Sequence, residues 1–224
     1  MKSKDQIWDE IHNAQEWGKY PSEHVIRFVA RNFYNVLDRT KIKILDFGCG
    51  AGANTWFLAR ENFDVYAFDG AEKAAERARN RLNAEGLSAD IRCFDALEVD
   101  YEDDFFDSVI DNVCIYANTI DSISKMYNEV YRILKNNGKL LTTVFTTKTS
   151  GYADVNAKKI EEHTYTDITY GPLCGRGVAH FFEENELIEI LNKIGFQNIN
   201  VETLEFTDRG NVVSMFVVSS QKII

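Results

Sequence analysis

Between residues 41 and 146 the sequence alternates short β-branched or apolar runs with longer amphipathic ones, and this alternation constrains the fold more than any other feature. KIKILDF (41–47), DVYAFD (64–69), ADIRCFD (89–95), FFDSVIDN (105–112) and KLLTTVFT (139–146) read as strands. ANTWFLAREN (53–62), AEKAAERARNRLNAEG (71–86) and DSISKMYNEVYRILKNNG (121–138) read as the helices between them. Gly86 closes the second helix; Asp121 is the expected N-cap of the third, with Gly138 past its end. Strands alternating with helices specify an α/β fold, a mostly parallel sheet with helices on both faces. Ligands bind such sheets beyond the carboxyl ends of the strands. Chemistry is therefore expected at 46–54, 69–72, 95–98 and 111–118.

The flanks decorate this core. Residues 5–16 read as a short helix. Pro21 stands at a first helical position, and Val25, Phe28, Val29, Phe33, Val36 and Leu37 then recur at helical spacing. Residues 147–180 lose periodicity, 183–195 read as a helix, and 196–206 and 211–222 as two strands placed to pair antiparallel. The expected organisation is one domain over 1–224: a helical cap (1–40), a ligand-binding core (41–146), an insertion (147–182) and a closing helix with two strands (183–224).

Composition narrows the function. The net charge is −10, with 25 Lys and Arg against 35 Asp and Glu. That disfavours general nucleic-acid binding, which needs clustered cations. No apolar run approaches the roughly 20 residues of a membrane span. The opening MKSKDQIWDEIHNAQEW has no signal-type apolar stretch, so a cytoplasmic protein is expected. Cys49, Cys93, Cys114 and Cys174 are far apart, which suits reduced thiols rather than a disulfide framework or a metal site. The acidic run at 98–104 has no spaced histidine and reads as a solvated turn.

The loop after the first strand reads Asp46-Phe47-Gly48-Cys49-Gly50-Ala51-Gly52. Alternating glycines let the backbone turn tightly and approach a ligand, and the next helix offers its N-terminus. GCGAGA also satisfies a loose dinucleotide fingerprint, so the glycines leave a nicotinamide or flavin cofactor open. Asp46 opposes a pyrophosphate but suits a ligand ammonium, reached directly or through water; the alternative is a carboxylate bonded to loop amides. Asp69 ends the second strand, where an acid accepts ribose hydroxyls; the alternative is an N-cap. Asp95 ends the third strand, placed for an adenine amino group, with Ala96 N–H facing a ring nitrogen.

With these residues in view, ILDFGCGAGAN, YAFDGAEKAAERAR, IRCFDALEVD, FDSVIDNVCIY and NNGKLLTTVF, in that order, resemble the motifs of class I S-adenosylmethionine-dependent methyltransferases. The tail FFEENELIEILNKIGFQNINVE resembles their small-molecule branch. The resemblance implies a Rossmann-like seven-stranded sheet whose last strand is antiparallel. It implies S-adenosyl-L-methionine as cofactor and S-adenosyl-L-homocysteine as product. It places Asp46, Gly48, Cys49, Gly50 and Gly52 at the methionine end, Asp69 and Gly70 at the ribose, Asp95 and Ala96 at the adenine, and Asn112 at the reactive end. DNVCIY lacks the proline-containing run associated with exocyclic amine methylation of nucleobases, so the expected partner is a small-molecule acceptor.

The insertion is too long for a plain connection and reads as a lid or acceptor loop. His163 and His180 are its candidate general bases, since histidine suits proton transfer near neutral pH. Structural histidines are the competing reading. Trp17, Tyr20, Tyr116, Tyr165 and Arg176 are the candidate acceptor contacts. A nicotinamide-dependent oxidoreductase and a non-catalytic S-adenosylmethionine-binding protein are the rival functions. Oligomeric state is not encoded in any of these motifs.

Overall fold

The computed structural model describes residues 7–15 and 18–224. Two helices lead in, α1 (Ile7–Ala14) and α2 (Glu23–Phe33). The core then runs β1 (Lys43–Phe47), α3 (Ala53–Arg60), β2 (Asp64–Asp69), α4 (Glu72–Ala84), β3 (Asp90–Cys93), β4 (Phe106–Asn112), α5 (Ile120–Ile133) and β5 (Leu134–Phe145). Three short strands follow: β6 (Lys158–Glu161), β7 (Thr164–Thr166) and β8 (Ala179–His180). The chain closes with α6 (Glu184–Ile194), β9 (Phe196–Asp208) and β10 (Asn211–Lys222).

The main sheet has seven strands in the order β3-β2-β1-β4-β5-β10-β9. The first five are mutually parallel, while β10 runs antiparallel to β5 and to β9. Strand order reverses between β1 and β4, and that is where a doubly wound sheet opens a crevice.

Alternation along the strands sorts the core into two layers. Leu45 and Phe47 of β1 face a cluster with Met126, Val130 and Ile133 of α5 and Leu187 of α6. Ile44, just before Leu45 in sequence, faces Val29 of α2, Leu58 of α3 and Leu82 of α4. Helices therefore cover both faces, each burying its apolar stripe, a driving force of about 25 cal/mol per Å² of apolar surface.

Three boundaries differ from expectation. The helix expected over 121–138 stops at Ile133, because Leu134 already pairs with Phe106. The next pair in register is Ser108 with Lys139, so Asn136, Asn137 and Gly138 bulge from a strand instead of ending a helix. The N-cap position of α5 is Thr119, and Asp121 lies in the first turn, 2.6 Å from Lys125. Leu37, expected on the apolar face of α2, lies beyond the helix end and is exposed. In the insertion, β6, β7 and β8 form a separate three-stranded sheet. It is tied to the core where His180 N donates to Tyr116 O (2.9 Å) and Phe182 N to Phe145 O (2.8 Å).

Candidate functional site

A cavity of about 430 Å³ opens over the carboxyl ends of β1, β2 and β4, at the reversal of strand order. The glycine loop forms one wall. Its backbone is pinned to the neighbouring strand by Cys49 N on Phe68 O (2.8 Å) and by Gly50 N on Asp69 Oδ2 (2.9 Å). Gly48 has φ +70°, and a Cβ there would stand 2.1 Å from Cys114 Sγ. Gly52 has φ +81° and lies against Ala78 of α4, where a Cβ would stand 2.8 Å from Ala78 Cβ. Gly50 is different: the nearest atom to an added Cβ is His12 Cε1 at 3.7 Å, so its bare backbone faces the cavity.

Asp46 does not border this cavity. It is 1% exposed and accepts from Thr55 N (2.9 Å), Thr55 Oγ1 (2.6 Å) and Asn54 Nδ2 (3.3 Å). Burial pushes its pKa up to about 6, against the pull of those hydrogen bonds. Its side chain is therefore turned into the protein and away from the cavity. Asn54 lines the cavity, Asp46 fixes its amide nitrogen, and its buried Oδ1 has no hydrogen-bond partner among the described residues. That acceptor suits an ammonium at the glycine-loop end.

Asp69 and Gly70 do border the cavity. Asp69 also accepts Ala71 N at 2.8 Å. Ala96 borders it as well, but Asp95 does not; its Oδ1 accepts Leu97 N (3.0 Å) within the turn. Gly52 serves helix packing rather than the wall.

The opposite wall comes from the loop after β4, from α1 and from residues 172–176. Asn112 lies on it, its Oδ1 held 3.0 Å from His24 Nε2 and its Nδ2 3.4 Å from Ser22 Oγ. A carboxamide oxygen only accepts, so Nε2 carries the imidazole proton. Burial lowers the His24 pKa and keeps that ring neutral. Just before it, buried Asp111 accepts from Cys114 N, Ile115 N and Thr142 Oγ1, which sets the turn that presents Tyr116.

Tyr20, Tyr116 and Arg176 reach the cavity. Tyr165 does not: it packs among Tyr152 and Phe181 beneath the insertion. Trp17 lies outside the described residues. Neither candidate base borders the cavity. His180 is fully buried between Thr164 Oγ1 (2.7 Å) and Glu186 Oε2 (3.1 Å), a structural link from β7 to α6. His163 bonds Tyr152 through Nδ1 at 2.8 Å.

The histidine that does border the cavity is His12, on α1 one turn after Trp8, which borders it too. Sequence reasoning missed both. The i, i+4 spacing of two aromatic rings on one short helix face was the available signal. Asn54 was missed because its role depends on the amide geometry that Asp46 imposes.

Sheet order and glycine loop together define a Rossmann-like enzyme that binds an adenosine-bearing cofactor over its strand ends. The family described as a methyltransferase domain matches residues 44–138. Phosphoethanolamine N-methyltransferase 2 of Caenorhabditis elegans is 30% identical over 164 residues, covering 72% of this chain and 34% of that protein. The tRNA N(3)-methylcytidine methyltransferase of Schizosaccharomyces pombe is 28% identical over 155 residues, covering 63% and 49%. The chain thus spans about a third and about half of these two relatives. A solved S-adenosylmethionine-dependent methyltransferase from Methanosarcina mazei is similar with a TM-score of 0.71 at 24% identity, covering 92% of this chain and 99% of that one. Over residues 44–138 the chain matches the methyltransferase-domain family, and its fold is that of S-adenosylmethionine-dependent methyltransferases. Among the described residues no helix is long and apolar enough to cross a membrane.

Proposed function

We propose that this protein transfers the methyl group of S-adenosylmethionine to a small-molecule acceptor. One observation carries the reading: a single cavity joins the glycine loop and Asp69 to a second wall made by Trp8, Tyr116 and Leu173. Two ligands meeting in one cavity is what transfer requires, since proximity and alignment supply much of the acceleration.

The residues present fit the cofactor. Asn54 Oδ1 offers an acceptor to the ammonium, bare Gly50 admits close approach, and Asp69 faces the cavity at the end of β2, where a ribose would lie. Ala96 and Phe68 bound the place for adenine. Bound there, S-adenosylmethionine supplies a sulfonium methyl: the acceptor lone pair bonds the carbon, the carbon–sulfur pair returns to sulfur, and S-adenosylhomocysteine remains. Asn112, locked by His24, lines the same cavity and contributes a fixed amide to its wall. Burial lowers the His12 pKa, so a neutral imidazole, the form that accepts a proton, borders the cavity near pH 7.

A small acceptor is favoured over RNA because the cavity is bordered by α1 and the insertion and the chain carries a net charge of −10. The test is thermal unfolding with S-adenosylmethionine, S-adenosylhomocysteine and NADH in parallel. Ligand at a hundredfold its dissociation constant adds about 2.7 kcal/mol. The two adenosyl sulfur compounds should raise the midpoint and NADH should not, and Asp69→Ala or Gly50→Arg should abolish the shift. A shift with NADH alone would overturn the reading in favour of an oxidoreductase.

A further inference from the structure

We propose a second ligand site on this protein: a hollow between α2 and the antiparallel end of the sheet that binds the phosphate or carboxylate group of a small molecule. The site stands whichever reaction the cavity over the strand ends performs.

The hollow holds about 100 Å³ and shares no lining residue with that cavity. Its floor is buried: His24 and Phe28 of α2 meet Leu141 of β5 and Val217 of β10. Its rim is polar and charged. Arg27 and Arg31 follow His24 at helical spacing, which brings all three to one face of α2. On the sheet side, Asn200 pairs with Ser219 and Glu202 with Val217, so these four share one face. A pocket that encloses a whole ligand begins at roughly 300 Å³. The hollow therefore takes one group of a molecule.

The arginines set the sign of that group. The chain has 35 acidic side chains against 25 basic ones, so carboxylates are plentiful. Arg39, Arg60, Arg92 and Arg132 each hold one at 2.6–2.7 Å. Arg27 and Arg31 instead stand 3.8 Å from Glu23 and Glu202, a charge contact without a hydrogen bond. Lys139 brings a third cation to the edge of the hollow, its Nζ 2.6 Å from Asn32 Oδ1. Among the described residues the lining holds one carboxylate, Glu202. Two guanidinium forks on successive turns of a helix match the oxygens of a phosphate or carboxylate.

His24 reports on the site. Its Nε2 lies 3.0 Å from Asn112 Oδ1 and 3.2 Å from Thr143 Oγ1, so that nitrogen keeps its proton and a second proton goes to Nδ1. Burial lowers the His24 pKa, and the Arg27 charge adds to that; the Asn112 hydrogen bond and the Glu23 charge act the other way. An oxyanion beside Arg27 and Arg31 offsets their positive charge and raises it. Asn112 in turn lines the cavity over the strand ends, so His24 stands between the two sites.

The experiment follows the imidazole signals of the four histidines of the full chain by NMR. The His24 signal is identified by its absence from His24→Gln. Inorganic phosphate or malonate is added, with sodium chloride of equal ionic strength as the control. The His24 signal should move saturably with phosphate or malonate and not with chloride, and the probe that saturates at the lower concentration names the group. With that probe bound, the titration midpoint of His24 should rise. Arg31→Gln should raise the dissociation constant about tenfold. Glu202→Gln should lower it, because it removes the opposing carboxylate. Misfolding does not produce opposite movements in two exposed variants.

A response at His12, which lines the other cavity, without one at His24 would put the anion there and overturn the proposal. A non-saturating response equal to that with chloride would overturn it as well, and so would an affinity left unchanged by Arg31→Gln.

Discussion

Asp46 and Asp111 are carboxylates sunk into adjacent central strands, 1% and 0% exposed, and burial pushes each up to about 6. The folded pKa exceeds the unfolded one, so between about pH 4 and pH 6 the folded state holds protons that the unfolded chain has released. Stability from these groups therefore falls as pH rises through that window. Relative to Asp46→Asn, the wild type should lose about 3 kcal/mol between pH 4 and pH 7, read by urea unfolding at several pH values. A pH-independent gap would count against it. Gly48 makes a second prediction. Its left-handed φ and the 2.1 Å approach to Cys114 Sγ act together, so Gly48→Ala should destabilise by about 2–4 kcal/mol. Adding Cys114→Gly should recover the steric part and leave the backbone part. At this scale the cavity wall was legible: of the residues expected to hold the cofactor, Gly48, Cys49, Gly50, Asp69, Gly70, Ala96 and Asn112 border the cavity. Asp46, Gly52 and Asp95 were placed by position in a motif. Position in a motif does not reveal whether a side chain turns toward the ligand or back into the protein.

The insertion is the element where expectation and structure parted. Strands of four, three and two residues are too short to show a period of two, so β6, β7 and β8 left no pattern to read. Without their pairing, His163 and His180 had no assignable direction. The pairing turns His180 inward, onto Thr164 and Glu186. His180→Leu should therefore lower stability by about 2 kcal/mol, the cost of stranding a buried partner. The shift produced by S-adenosylmethionine should remain, because the bond that supports Tyr116 comes from the His180 backbone N–H. A variant of normal stability that had lost methyl transfer would restore His180 as a base. The bulge in β5 has a similar lesson. NNG is a helix-ending triplet by composition, but pairing of Leu134 with Phe106 claims the chain four residues earlier.

Across the whole molecule, the order of elements was readable because each strand–helix unit carries its own period, and parallel return follows from that alternation. How the insertion joins the core was not, since it depends on contacts distant in sequence. Those contacts bind it closely: Tyr165, Ile168, Leu173 and Ala179 share one continuous apolar cluster with Phe47, Tyr127 and Val218. The chain should accordingly unfold in one transition, with far-ultraviolet dichroism and tryptophan fluorescence coinciding in urea. An early fluorescence change without loss of secondary structure would mark α1, which carries Trp8, as a separate unit.

The three glycines of the first loop have different custodians. Gly48 and Gly52 are required by Cys114 and Ala78, which the protein carries whether or not anything is bound; Gly50 meets no neighbour nearer than 3.7 Å, so with the cavity empty only its left-handed φ of +53° favours glycine. In a lineage released from methyl transfer, selection would go on guarding positions 48 and 52 while position 50 could pass to asparagine or aspartate, the side chains that tolerate its left-handed backbone. Among descendants of such a chain, the residue at 50 would record whether the chemistry had been kept, and the other two glycines would testify only to folding.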